Sequence, residues 1–223
     1  MPSKLYIGTA GWSIPRGVQS RFPAGHSHLE RYARVLPAVE INSTFYRPHR
    51  AATFERWAAS VPRAFRFSVK LPRTITHDQK LTGCASLLTA FFTSIAPLGS
   101  RLGCLLVQLP PSLAFDSRVA RGFFSALRRR CDRGIALEPR HASWFEARVD
   151  GSDSPGGWGG LAYFRLHGSP RIYYSDYKDD TLAVLAEKLR ILRRRRIPAW
   201  CIFDNTALGA ATANALSLRE RLG

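Results

Sequence analysis

Lysine is scarce in this 223-residue chain: five of its 33 basic residues are lysine, leaving 28 arginines against 16 acidic residues. The formal charge of +17 gives long-range attraction for phosphate-rich partners, although an arginine-rich codon bias would give the same balance. Such a charge bears on association, not on fold. No apolar run approaches the ~20 residues of a membrane-spanning helix, which excludes a helical membrane protein. The four cysteines (Cys84, Cys104, Cys131, Cys201) are widely spaced without a C-x-x-C pair. That argues for buried, reduced thiols and not for a disulfide framework. The first apolar run begins within a few residues of Met1, which is not the pattern of a signal peptide, so a cytoplasmic location is expected. That run leads into Gly8-Thr9-Ala10-Gly11-Trp12, which is neither G-x-G-x-x-G nor a P-loop. A doubly wound nucleotide fold is therefore disfavoured.

What the chain does have is seven short apolar runs, each ending in polar residues. They are Leu5–Gly11, Ala38–Phe45, Phe65–Leu71, Gly103–Pro110, Gly134–Arg140, Leu161–Gly168 and Ala199–Thr206. At or just past their ends lie Trp12, Glu40 with Asn42, Lys70, Gln108, Glu138 with Arg140, Arg165 with His167, and Asp204 with Asn205. Buried strands that become polar at their C-terminal ends suit a (β/α) barrel, whose βα loops surround one mouth. Polar groups in such strands are costly unless they have partners or a purpose.

Helical patterns alternate with these runs. Ser27 and Glu30 form a capping box ahead of Leu29–Leu36, the preferred reading of a stretch whose His26, His28 and Glu30 also resemble metal ligands. Thr53–Ser60, Ala85–Ile95, Val119–Arg130, Leu182–Leu192 and Ala210–Arg221 follow, and Leu182, Leu185, Ala186, Leu189 and Leu192 make one apolar stripe. Strand alternating with helix implies a parallel sheet in one domain over residues 1–223. The Gly-rich stretch between Arg140 and Leu161 has room for little more than one crossover, which takes a dozen or more residues. The expected fold is thus α/β, a TIM-type barrel lacking one βα unit, with seven parallel strands. Loss of that unit would make the strands bearing Glu138 and Arg165 neighbours.

The motifs in order are Ile7-Gly-Thr-Ala-Gly-Trp12, Val39-Glu-Ile-Asn-Ser-Thr-Phe-Tyr46, Phe67-Ser-Val-Lys70, Thr76-His77, Val107-Gln-Leu-Pro-Pro111, Glu138-Pro-Arg-His-Ala-Ser-Trp144, Arg165-Leu-His-Gly168 and Phe203-Asp-Asn-Thr206. Together they resemble the YecE-like family, the domain of unknown function 72, over about residues 5–220. The resemblance implies a TIM-type barrel related in shape to sugar isomerases and apurinic-site endonucleases. It implies a site more than a reaction. The chain departs from the family pattern after Trp144, where a helix and a strand ending in an acidic residue are missing.

Side chains two apart share a strand face, so Glu40 with Asn42, Glu138 with Arg140, and Arg165 with His167 are expected to point inward. Each pair alone could be a buried ion-pair network that fills the interior. Three such pairs beside Lys70, Gln108 and Asp204 favour a site. The expected catalytic set is Glu138, His167, Lys70 and Asp204. Expected substrate contacts are Trp12, Glu40, Asn42, Gln108, Arg140, His141, Trp144, Arg165 and Asn205. Three chemistries fit: phosphoester hydrolysis with arginines clamping an anion and Glu138 or His167 as base; sugar isomerase or glycosidase work by paired carboxylates between Trp12 and Trp144; and metal-assisted hydrolysis. The last is disfavoured because Arg140, Arg165 and Lys70 would repel a divalent ion, and no compact ligand motif such as H-E-x-x-H occurs. The hydrolase reading, with an anionic small molecule or nucleic acid as partner, is preferred. Its rival is a non-catalytic module binding nucleic acid or a phosphorylated metabolite, with aromatics such as Tyr46 beside Arg47 stacking bases.

Overall fold

The computed structural model of the protein describes residues 4–146 and 160–223. Among the described residues there are seven strands: β1 (Leu5–Thr9), β2 (Ala38–Ile41), β3 (Arg66–Lys70), β4 (Leu102–Gln108), β5 (Gly134–Glu138), β6 (Ala162–Leu166) and β7 (Ala199–Phe203). The helices are α1 (His28–Ala33), α2 (Ala51–Ala59), α3 (Ala85–Ile95), α4 (Ser117–Arg128), α5 (Ser143–Glu146), α6 (Asp179–Arg194) and α7 (Ala210–Leu222). The strands form two parallel sheets, ordered β1-β7-β6 and β2-β3-β4-β5. Each strand is shorter than its apolar run, and Lys70, Gln108, Glu138 and Arg165 stay within their strands. The run beginning at Ala38 stops pairing at Ile41, where Asn42 starts a 3-10 turn over Ser43–Phe45.

One expectation needs correction. No ladder joins β5 to β6 among the described residues: β5 pairs with β4, β6 pairs with β7, and the two belong to different sheets. A parallel strand is placed by the backbone edge it bonds, so a short connection does not by itself make two strands adjacent. The expectation that no strand lies between Arg140 and Leu161 falls chiefly on residues 147–159, outside the described residues. No helix among the described residues is long and apolar enough to cross a membrane.

The described residues divide into two compact units. The first holds residues 4–41, 60–67 and 160–223, the second residues 42–59 and 68–146. In the first unit, β7 lies between β1 and β6, with Leu5 opposite Ala199 and Ala162 opposite the same residue. The ladder continues past the strand ends, where the Asp204 amide donates to the Leu166 carbonyl at 2.8 Å. Tyr32, fully buried on α1, donates to the Ala38 carbonyl at 3.1 Å and accepts from the Thr9 amide at 2.9 Å. Burial pushes its phenol well above the usual tyrosine range. Beside it, a Cβ on Gly8 would lie 2.0 Å from the Ala38 carbonyl oxygen, so only glycine permits this approach. Tyr32→Phe is expected to leave the buried Thr9 amide without its acceptor and cost about 1–3 kcal/mol in urea unfolding. A change within 0.5 kcal/mol would count against that role.

Ser27 caps α1 as expected, accepting from the Glu30 amide at 3.1 Å, while the Glu30 carboxylate accepts from the His26 amide at 3.0 Å and pairs with Arg34 at 2.6 Å. Glu30 is therefore engaged in the cap. In α6 the apolar stripe is buried at Leu182, Leu185, Ala186 and Leu189, and Leu192 is half-buried.

In the second unit, β4 and β5 align Gln108 with Glu138 at their ends. Asp116 caps α4 by accepting from the amides of Arg118 and Val119. The four cysteines are free and buried, and burial pushes the Cys201 thiol on β7 far above the ordinary thiol range. A thiolate-directed reagent such as Ellman's is expected to titrate Cys201 only after denaturation. Prompt reaction in the native protein would contradict this placement.

Candidate functional site

The first unit gathers Glu40, Arg165, His167 and Asp204 into one network. The residues Tyr163, Arg165 and His167 stand at alternate positions along and just past β6, so the strand's period of two puts them on one face. Arg165 meets Glu40 in a two-pronged contact, with Nε at 3.2 and 3.1 Å from the two carboxylate oxygens and Nη2 at 3.0 Å. The same Nη2 lies 3.0 Å from Asp204 Oδ2, and that oxygen also meets His167 Nδ1 at 3.0 Å. Tyr163 donates its hydroxyl to Glu40 at 2.9 Å. A planar guanidinium suits this bridging of two carboxylates, and a point-charge lysine would not.

Exposure separates the members. The Glu40, Arg165 and Asp204 side chains are 0, 4 and 5% exposed, whereas His167 is 24% exposed. The three charges are thus mutual partners, as buried charges must be. His167 is the member that reaches solvent. Arg165 Nη1 stands 3.5 Å from both ring nitrogens of His167, a long contact. The Tyr173 ring approaches His167 edge-on at 5.7 Å, and the Tyr173 amide donates to the His167 carbonyl at 2.5 Å. This loop turns back at Gly168, whose φ of 95° and amide N–H, donating to the Tyr177 hydroxyl at 2.8 Å, set the reversal. A Cβ there would stand 3.0 Å from the Ser175 carbonyl oxygen. Glycine is required on both counts.

Asn205 is fully buried with its Nδ2 donating to the Ser175 carbonyl and to Asn214 Oδ1, each at 2.9 Å. Asn214 in turn binds the backbone of Tyr177. Asn205 therefore ties the loop to α7. Trp12 sits half-buried in the turn after β1.

The second unit holds the remaining candidates. Gln108 donates to Glu138 Oε1 at 2.8 Å, and Arg140 reaches that oxygen at 3.3–3.4 Å from Nη2 and Nε. Lys70, 4% exposed, carries its ammonium 4.0 Å above the Phe45 ring. The His77 ring meets the other side of this cluster, edge-on to Phe45 at 4.9 Å. Partial burial holds His77 below the ordinary histidine range, and the charges of Lys70, Arg73 and Arg140 add to this against the opposing Asp78. His141 Nδ1 meets Ser143 Oγ at 2.8 Å at the start of α5, so it serves local structure. Trp144 does likewise, donating to the Leu113 carbonyl at 2.8 Å with its ring edge-on to Phe115. Asn42 is half-buried, and its Oδ1 has no hydrogen-bond partner.

Among the described residues no group of three His, Cys, Asp or Glu side chains is arranged to hold a metal ion. Tyr163, Arg73 and His77 were missed as site members. Extending the alternation of β6 back by two residues reaches Tyr163. Tyr173 is in a loop with a left-handed backbone, φ 69°, and carries no periodic signal.

The ordered motifs and this fold agree with what sequence comparison finds: residues 6–151 and 155–223 match the family described as "Protein of unknown function DUF72". The chain belongs to the DUF72 family. It is 39% identical over 142 residues to the UPF0759 protein YecE of Escherichia coli strain K12, an alignment covering 63% of this chain and 50% of that protein. It is 30% identical over 152 residues to the UPF0759 protein YunF of Bacillus subtilis strain 168, covering 63% and 52%. The matches thus span about half the length of these curated relatives. Among solved structures, a DUF72 family protein from Thermotoga maritima superposes with a TM-score of 0.76 at 27% identity, covering 98% of each chain. One from Enterococcus faecalis V583 has a TM-score of 0.79 at 21% identity, covering 98% of this chain and 95% of that one, a likeness of fold.

Proposed function

We propose that this chain is a hydrolase-type enzyme acting on a phosphate-containing substrate, with His167 as its proton-transfer group and Asp204 as the carboxylate that orients it. One observation carries the reading. A single oxygen of the buried Asp204 is shared between Arg165 and His167, and the imidazole is the member of that network open to solvent. A carboxylate on Nδ1 fixes the ring and leaves Nε2 as the atom to exchange a proton with water or a leaving group. Glu40 completes the support by holding Arg165. Its full burial and occupied oxygens also weigh against the sugar-chemistry alternative that would make it one of two working carboxylates. The phosphate rests on the net charge of +17. The reading takes the strands as a TIM-type barrel and the protein as cytoplasmic.

A second reading makes Glu138 the base, favoured by its contacts with Gln108 and Arg140. A neighbouring guanidinium favours the ionised carboxylate, which makes a weaker base near neutral pH than an imidazole. Turnover of a panel of phosphomonoesters and phosphodiesters by the parent protein, His167→Gln and Glu138→Gln separates the two. Loss in His167→Gln supports the first; full activity there with loss in Glu138→Gln selects the second. Salt-sensitive binding of the panel without any turnover would select the non-catalytic module.

A further inference from the structure

An exposed aromatic ring stands at the edge of the cation cluster in the second unit. Tyr46 is 74% exposed, and its ring packs edge-on against Phe45 at 5.0 Å. Phe45 is the hub, with the Lys70 ammonium 4.0 Å from its ring centre and the His77 ring at 4.9 Å. Arg73 and Arg140 lie within electrostatic reach of the same imidazole. Both are salt-bridged, Arg73 to Asp78 at 3.2 Å and Arg140 to Glu138 at 3.3 Å. Their side chains keep 62 and 34% of their surface exposed, so each guanidinium can bind an anion while paired. An exposed large apolar side chain is ordinary when it stands alone. Here it packs on Phe45, which carries the Lys70 ammonium and the His77 imidazole, with two guanidiniums in reach of that imidazole, a pairing of stacking surface and positive charge that suits a ligand with a planar ring at one end and an anion at the other.

We propose that Tyr46, Phe45, Lys70, Arg73, His77 and Arg140 form a nucleotide-binding surface, with the phosphate on the exposed guanidiniums of Arg73 and Arg140 and the base on the open face of Tyr46. Phe45 is not the stacking partner, because it is half-buried with the Lys70 ammonium over its ring. Its part is to hold the ammonium and the imidazole beside the tyrosine. The ring of Tyr46 gives no donor or acceptor pattern to the base, so the surface accepts purines and pyrimidines alike. The same chemistry occurs in a free nucleoside monophosphate and in one link of a single-stranded nucleic acid. This inference rests on the proposed function only in taking the ligand as phosphate-bearing.

The test is binding by calorimetry with three probes, adenosine monophosphate, ribose 5-phosphate and a short single-stranded oligonucleotide. Adenosine monophosphate is expected to bind more tightly than ribose 5-phosphate. Tyr46→Ala should weaken it by about tenfold while leaving ribose 5-phosphate unchanged, and Tyr46→Phe should restore it, since the contact is a ring face. Arg73→Ala should weaken both probes. An oligonucleotide that binds more tightly than the mononucleotide, with the same Tyr46 dependence and a steep salt dependence, identifies nucleic acid as the source. A weaker one identifies a free nucleotide. Equal affinity for adenosine monophosphate and ribose 5-phosphate, or an unchanged affinity in Tyr46→Ala, overturns the proposal. These measurements do not involve His167, so failure of its proton-transfer role leaves them intact, and their failure leaves that role standing.

Discussion

Replacing His167 with glutamine is expected to lower turnover of a phosphoester substrate by about 10²–10⁴-fold, the range set by removing a positioned acid–base group. Glutamine retains a polar head of similar reach, so it can keep a hydrogen bond to Asp204 while losing the ability to take and return a proton. The fold should survive, because His167 is partly exposed and is not one of the three buried charges. Asp204→Asn should lose activity in the same direction by failing to fix the ring, with a larger loss of stability because Asp204 also supports Arg165. Turnover of His167→Gln within a few-fold of the parent protein would remove His167 from the chemistry.

The second large effect concerns stability. Arg165→Met is expected to cost about 3–5 kcal/mol in urea unfolding at neutral pH, the penalty of breaking a buried pair and leaving its partner charges uncompensated. The methionine fills much of the volume but provides no donor, so Glu40 and Asp204 would face each other's charge at 0 and 5% exposure. A deficit under 1 kcal/mol at neutral pH would mean that water reaches the network. By contrast Arg73→Ala, which removes an exposed pair with Asp78, should cost less than 1 kcal/mol.

The strands and most helices were legible because each announces itself locally. Ala85–Ile95 is a helix over that same span, and the Ser27–Glu30 cap is visible as a spacing of three. The network around Arg165 was legible in part. Alternation along β6 puts Arg165 and His167 on one face, but nothing in the sequence says that Arg165 would take both Glu40 and Asp204 as partners. That choice depends on the pairing of β6 with β7, which brings Asp204 opposite the end of β6. The expected role of Arg165 beside Glu138 followed from assuming that β5 and β6 were adjacent, whereas the ladders pair β6 with β7 and β5 with β4. His141 and Trp144 have the composition of site residues, yet the Ser143 and Leu113 backbone contacts that occupy them come from loop geometry, which has no sequence period. Lys70 was legible as a cation at a strand end, but its seat on Phe45 required the 3-10 turn at Ser43–Phe45.

The most direct test of the central claim is a nitrogen-15 NMR measurement of the His167 ring through a pH titration. If Asp204 orients the imidazole, the neutral ring carries its proton on Nδ1, donated to the carboxylate 3.0 Å away, and Nε2 shows the shift of an unprotonated nitrogen. Asp204→Asn should abolish that preference. A neutral ring with its proton on Nε2, or a tautomer unchanged in Asp204→Asn, would contradict the account.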